Sequence, residues 1–284
     1  MKSYCIKTNN KKIIDYLLDK IEKINFENIY YCNKEFKIYQ NVVIHYTGEN
    51  IDGFINFVTE LISGTIIKFY EEKIIIRIIN SNYFYFDNNE KKIILENCKE
   101  FCRIDIEEKK EKLYQAIATY IKENKAIVLD GIINFRIQEY IKILDNIVDM
   151  AVNQYIIEKE YTEFINLLRA YVNTTESGIK LLHLIYINGE SILLDEEKNI
   201  VPLSENIFNA KYLSDITFSS NDYALNTLLN MLPKKLEIHI INEEDEFINT
   251  LKLIFENRVY ICKDCSICKT YRMIKNVKEI TKIN

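Results

Sequence analysis

Cys262, Cys265 and Cys268 occupy every third position of the string CKDCSICK. Thiolates at this spacing can close a tight loop around one soft cation, as Cys-x2-Cys turns do for zinc and for iron–sulfur clusters. The triple resembles the opening of a ferredoxin run, Cys-x2-Cys-x2-Cys-x3-Cys-Pro. Here the fourth position is Arg272 and no proline follows, which argues against an iron–sulfur cluster. Zinc is then the expected cofactor if metal binds, its fourth ligand a distant Cys or His or a group from a partner chain. Two other readings stand beside it: three reduced thiols at a partly buried helix start, and redox or intermolecular disulfide use.

The chain holds three histidines, His45, His183 and His239, each in an extended apolar run and none in HxH or HExxH spacing. Imidazoles buried in a sheet are the plain reading. His183 and His239, however, fall in a region where neighbouring strands are expected. If either reaches the cysteine triple it supplies the missing ligand, and its second ring nitrogen then needs an orienting acceptor. Cys98 and Cys102, four apart on an expected helix, read as small buried thiols unless the fold brings them near the triple. Cys5 and Cys32 fall in expected strands and read as core.

Other charged groups form weaker constellations. Glu158, Glu160 and Glu163 cluster in IIEKEYTEF, with Arg136 and Glu139 upstream and Arg169 downstream. Paired carboxylates serve as acid and base when their surroundings split their pKa values, but a solvated helix face accounts for these with less. From Cys262 onward, Lys263, Lys269, Arg272, Lys275, Lys278 and Lys282 outnumber Asp264 and Glu279. A basic tail beside a cysteine knuckle could track phosphates. With Tyr271 its only aromatic residue, it makes a poor stacking platform. No Gly-x4-Gly-Lys-Ser/Thr loop, Gly-x-Gly-x-x-Gly fingerprint or Gly-x-Ser-x-Gly elbow occurs. Six glycines in 284 residues leave little means of wrapping backbone around a phosphate.

The elements that must position these residues follow from periodicity. Six glycines and two prolines favour long helices over turn-rich β folds. Residues 3–8 read as a strand and 10–24 as a helix with Ile13, Ile14, Leu17, Leu18 and Ile21 on one face. Two strands follow over 28–46, with a polar turn expected at Asn33-Lys34, and helical spacing returns over 52–79. From Glu90 to about Asn173 the pattern is helical. It includes Lys109–Lys122, with Leu113, Ile117 and Ile121 inward, and a cap or turn at Asp130-Gly131. The stripe Ile137, Ile141, Leu144, Val148, Ala151, Tyr155 buries one face of a stretch long enough that a break is expected near Gln154–Glu160. After Gly178 the period changes to two. LLHLIYI and SILLDE flank Asn188-Gly189, a strong hairpin signal. A helix over 221–231 follows, then a strand over Leu236–Ile241, a helix over Glu243–Phe255 and a strand over Arg258–Cys262. Cys262 thus falls at the end of a strand, where ligands gather in open α/β sheets. The fold class is α+β, in three regions: 1–88 an N-terminal α/β region, 89–178 a central antiparallel helical layer, and 179–284 a C-terminal α/β region with the hairpin and the cysteines.

The composition, 48% hydrophobic and 28% charged with a net charge of −5, is that of a globular protein without general affinity for polyanions. The most apolar stretch, Leu61 to Ile79, carries Lys68, Glu71, Glu72, Lys73 and Arg77. Each Lys or Arg there would cost about 2.5–3.5 kcal/mol in a bilayer centre, so no membrane span is expected. The start, MKSYCIKTNNKK, holds no apolar core of signal-peptide length. With an odd total of seven cysteines, this points to a reducing cytoplasm.

The blocks FRIQEYIKILDNIVDMAVNQYIIEKEYTEFINLLRAYV, HLIYINGESILLDEE, LLNMLPKKLEIH and IFENRVYICKDCSIC together resemble the YtxC-like family, from about Asn89 onward. The resemblance implies a cytosolic, sporulation-linked protein of endospore-forming bacteria; it carries over no catalytic residues. The leading reading is therefore a non-enzymatic protein that acts through contacts with a partner protein. A zinc protein using Cys262, Cys265 and Cys268 is the rival, and a nucleic-acid binder using the basic tail a third.

Overall fold

The computed structural model describes residues 2–24, 27–104, 106–202, 219–262 and 264–281, the side chains of Ile106 and of 274–281 excepted. The chain divides into two compact units, residues 1–158 and 159–284. Among the described residues ten α-helices and two four-stranded mixed sheets make an α+β fold.

The first unit runs β1 (Lys2–Thr8), α1 (Lys11–Glu22), β2 (Ile29–Glu35), β3 (Gln40–Tyr46), α2 (Ile51–Phe69), α3 (Glu71–Asn82), α4 (Asn88–Ile104), α5 (Ile106–Glu123), β4 (Ala126–Val128), α6 (Leu129–Phe135) and the start of α7 (Gln138–Thr174). Its sheet has the order β2-β3-β1-β4, antiparallel except for the β1–β4 pair. One face of α1 (Ile13, Ile14, Leu17, Ile21) packs into the same core as Phe54, Val58 and Ile62 of α2 and Leu113, Ile117 and Ile121 of α5.

Several boundaries differ from those read from the sequence. β2 continues through Asn33 and Lys34, which pair with Val42 and Asn41 of β3. The turn lies at 36–39 instead, where the Phe36 N–H donates to the Tyr39 carbonyl (2.9 Å) and the two rings stack at 4.8 Å. Cross-strand pairing and that aromatic contact outweigh the turn preference of Asn-Lys. Asp130 and Gly131 lie inside α6, which is held by buried Leu129, Ile132 and Ile133. No break falls near Gln154–Glu160: α7 is one helix of 37 residues, and the unit boundary lies within it. It contains neither proline nor glycine, so no residue in it stops helix propagation. Cys32, expected in the core, is exposed on the sheet edge, because every β2 residue from Tyr30 on faces solvent.

The remaining thiols of this unit differ sharply in environment. Cys98 and Cys102 face the core from α4, and burial pushes the Cys98 thiol up to about 12, with Cys102 adding to it. Alkylation of the native protein is expected to modify exposed Cys32 faster than Cys98 or Cys102 by more than roughly ten-fold, since burial shields those two thiols and raises their pKa values. Peptide mass spectrometry reads this directly, and equal rates would contradict the burial. An unfolded Cys98 ionises near 9.0 and the folded one near 12. Its contribution to stability is therefore whole below pH 9 and drains as the pH climbs toward 12. Cys98→Val should flatten that alkaline loss in pH-dependent unfolding curves.

The second unit comprises the rest of α7, β5 (Ile179–Ile187), β6 (Glu190–Leu194), α8 (Ser220–Met231), β7 (Pro233–Ile240), α9 (Glu246–Phe255), a 3-10 turn (Glu256–Arg258), β8 (Val259–Cys262) and α10 (Ser266–Thr281). The β5–β6 hairpin turns at Asn188-Gly189 with φ of 52° and 80°. Two consecutive positive φ values are what a type I′ turn demands, and Asn-Gly meets that demand cheaply. β5 then pairs parallel with β7, and β7 parallel with β8, in the order β6-β5-β7-β8. α8 and α9 are both capped: Ser219 and Asp222 form a capping box on α8, and Asp245 accepts from the first turn of α9.

Leu182 through Tyr186 are all buried, so both faces of β5 are covered. Leu182, Leu184 and Tyr186 share a core with Ala224 and Leu228 of α8 and Ile248 and Leu251 of α9. Ile185 belongs to a second, smaller core with Leu194, Ile241, Ile267 and Cys268. α10 therefore covers the face opposite α8 and α9, and the cysteine triple lies in that second core.

Candidate metal centre

The centre is built from one strand pairing and one helix start. In the parallel register of β7 and β8, His239 is opposite Cys262, the last residue of β8. A short connection leads to Cys265, which sits immediately before α10, and Cys268 lies in that helix's first turn. A strand end, a short connection and a helix start thus bring the three sulfurs round to a histidine on the neighbouring strand.

The Cys265 and Cys268 sulfurs each lie 3.4 Å from His239 Nδ1. Cys265 to Cys268 and Cys268 to Cys262 are both 3.8 Å, sulfur to sulfur. All four ligand atoms fall within 4.8 Å of one another. Bonds of about 2.0–2.1 Å to nitrogen and 2.3 Å to sulfur at tetrahedral angles place ligand atoms about 3.5–3.8 Å apart. The four separations of 3.4–3.8 Å are close to that spacing, and Cys262 lies within 4.8 Å of Cys265 and His239, so the group could hold one ion. His239 is 1% exposed and Cys268 fully buried, while Cys262 and Cys265 are half-buried.

The electrostatics prepare the ligands unevenly. Burial lowers the His239 pKa, and the nearby His183 lowers it further, so the imidazole is neutral and free to ligate. At Cys262, burial and the neighbouring sulfurs push the thiol up to about 12. At Cys265 burial also works to raise it, but backbone N–H groups of Cys268 and Ile267, with the adjacent thiols, outweigh this and bring it down. The start of α10 thus favours a thiolate at Cys265.

A second group of potential ligands adjoins the first: His183, Glu237 and His239. His183 is on β5 opposite Glu237, so the two histidines are diagonal neighbours on one sheet face. His183 Nδ1 is 3.1 Å from His239 Nε2 and 3.4 Å from Glu237 Oε2. Glu237 also takes a close contact from Lys235.

The sequence-derived candidates distribute as follows. Cys262, Cys265 and Cys268 converge, and His239 joins them; His183 contacts His239 rather than the sulfurs. His45 bonds Ser3 Oγ at 2.7 Å within the first sheet, and Cys98 and Cys102 stay in the first unit's helical core. Glu158 accepts from Gln154 at 2.5 Å, Glu139 pairs with Lys142, and Glu160 and Glu163 are exposed along α7. Arg169 pairs with Glu256 and donates to the Leu253 carbonyl, and Arg136 lies over the Tyr120 ring. In the basic tail, Lys269 and Arg272 both pair with Asp264. Lys263 and Lys282, and the side chains of Lys275, Lys278 and Glu279, lie outside the described residues. Glu237 escapes a reading of the sequence, because only the parallel β5–β7 register sets it beside His183. No described helix is long and apolar enough to cross a membrane.

Comparison with known proteins gives a consistent family signal. The sequence model of the YtxC-like family matches residues 56–260, well over half of the chain. An uncharacterised protein, YtxC of Bacillus subtilis (strain 168), is 22% identical over 209 residues, covering 68% of this chain and 73% of that protein. The family match starts earlier than the resemblance beginning near Asn89 and ends two residues before Cys262. His183, Glu237 and His239 fall inside it, and the three cysteines outside. No solved structure matches significantly.

Proposed function

We propose that this chain, which belongs to the YtxC-like family, is a zinc protein whose ion is held by His239, Cys262, Cys265 and Cys268. The observation that carries the reading is the convergence of four ligand atoms within 4.8 Å, with sulfur–sulfur distances of 3.8 Å. Three thiolates and one imidazole form a soft, tetrahedral set suited to zinc. Such close spacing favours one ion over an iron–sulfur cluster, whose thiolates are spread over separate irons.

Four protein ligands leave no open position for water, so the ion's role is structural. It ties β7 through His239, the end of β8 through Cys262, and the start of α10 through Cys265 and Cys268. The small core of Ile185, Leu194, Ile241 and Ile267 is then closed on its α10 side by metal bonds as well as apolar contact. A reducing cytoplasm would keep the sulfurs available. The sporulation role implied by the family resemblance, exercised through contacts with a partner protein, fits a rigidified surface better than a reaction centre. Sporulation left unchanged when the chain is deleted from its host would contradict that last part.

Elemental analysis of anaerobically purified protein tests the centre. One zinc per chain is expected in the wild type and well below half of that in Cys265→Ser and His239→Ala. Wild-type protein without stoichiometric metal would overturn the reading.

A further inference from the structure

A histidine that ligates through Nδ1 keeps its proton on Nε2, and a buried N–H without an acceptor is costly. The polar atom facing His239 Nε2 is His183 Nδ1, at 3.1 Å. His183 is itself 6% exposed and is carried by β5, the central partner of β7. The two ring centroids are 5.3 Å apart and the rings inclined at 36°, an approach compatible with a hydrogen bond between ring nitrogens.

We propose that His183 is the positioning residue of the metal centre: its Nδ1 accepts the Nε2 proton of His239, and so turns Nδ1 of His239 toward the three sulfurs. The inference rests on the zinc reading above. The bond fixes both rings at once, with His239 protonated on Nε2 and ligating through Nδ1, and His183 accepting on Nδ1 and protonated on Nε2. Glu237 Oε2, at 3.4 Å from the same His183 nitrogen, then faces an acceptor. Lys235 supplies the donor that holds this carboxylate in place, and the carboxylate's negative charge stabilises the partial positive charge that His239 acquires on ligating. A residue on a strand that bears none of the sulfurs thereby determines how well the fourth ligand binds.

The test is a zinc competition titration of the full chain against a chromogenic chelator, comparing wild type, His183→Ala and His183→Asn. Removing the hydrogen-bond partner of a ligating histidine weakens metal binding by roughly 10–100-fold, and that loss is expected for His183→Ala. Asn offers an acceptor oxygen close to the position of Nδ1 and should restore most of the affinity, whereas a ring needed only for packing would not be replaced by it. The visible spectrum of the cobalt-loaded protein gives a second readout. His183→Ala should keep the thiolate charge-transfer bands but shift the ligand-field bands, because His239 alone is disturbed. If His183→Ala fails to fold, the His183→Asn spectrum and affinity carry the comparison, and a ten-fold loss with shifted bands there overturns the proposal. Wild-type affinity in His183→Ala overturns the positioning role and leaves the centre standing. Wild-type protein that takes up neither zinc nor cobalt overturns both.

Discussion

Stripping zinc, by a strong chelator or by Cys268→Ser, is expected to lower the melting temperature of the second unit by on the order of 10 °C and to leave the first unit's transition in place. Binding that favours the folded state stabilises it by about 4 kcal/mol when free ligand exceeds the dissociation constant a thousand-fold. For a unit of this size each kcal/mol is worth roughly 3–6 °C. The effect stops short of the complete unfolding seen in isolated zinc fingers. The second unit keeps an independent core in which Leu182, Leu184 and Tyr186 pack on α8 and α9, and none of those contacts involves the centre. What loosens is the opposite face, where Ile267 and Cys268 of α10 cover Ile185 and Leu194. Calorimetry with and without chelator resolves the two transitions. Identical traces would contradict a stabilising ion.

The second large effect lies in the first unit. Lys109 is 3% exposed and its Nζ is 3.0 Å from Glu71 and 3.2 Å from the Cys102 carbonyl. The same carboxylate accepts a close hydrogen bond from Tyr140, whose hydroxyl is pushed far above its usual pKa by burial and then by Glu71. This network joins α3, α4, α5 and α7 through one charge pair, with Lys109 buried and Glu71 15% exposed. Removing one member, as in Lys109→Met, strands the other charge and should cost about 3–5 kcal/mol. The double variant Lys109→Met, Glu71→Met removes both charges and should recover most of that loss, because a desolvated pair returns little more than its own burial cost. Denaturant titration of all three variants checks the cycle. Single variants within about 1 kcal/mol of wild type, the scale of an exposed pair, would show that water still solvates the charges.

Local features are legible in the sequence, whereas pairings between distant segments are not. The Asn188-Gly189 hairpin can be read because turn chemistry and a period of two occur together in one short window. The inward stripe of Leu113, Ile117 and Ile121 is equally plain. Two missed boundaries have specific physical causes. β4 is three residues long, too short to show any period, and is a strand only because β1 pairs with it. A break in α7 is suggested by length alone, although neither glycine nor proline is present to make one. The site divides in the same way. The sulfur triple is contiguous in the chain and visible as a string. His239 can be named from sequence only as one of two candidates, because its choice over His183 rests on the parallel β7–β8 register that sets it opposite Cys262. Side-chain period carries no information about which strand lies next to which.

X-ray absorption at the zinc edge of anaerobically purified protein tests the centre most directly. The expected coordination is three sulfurs at about 2.3 Å and one nitrogen at about 2.0–2.1 Å, at one zinc per chain. A shell of nitrogen and oxygen alone, or protein that carries no zinc to measure, would contradict it.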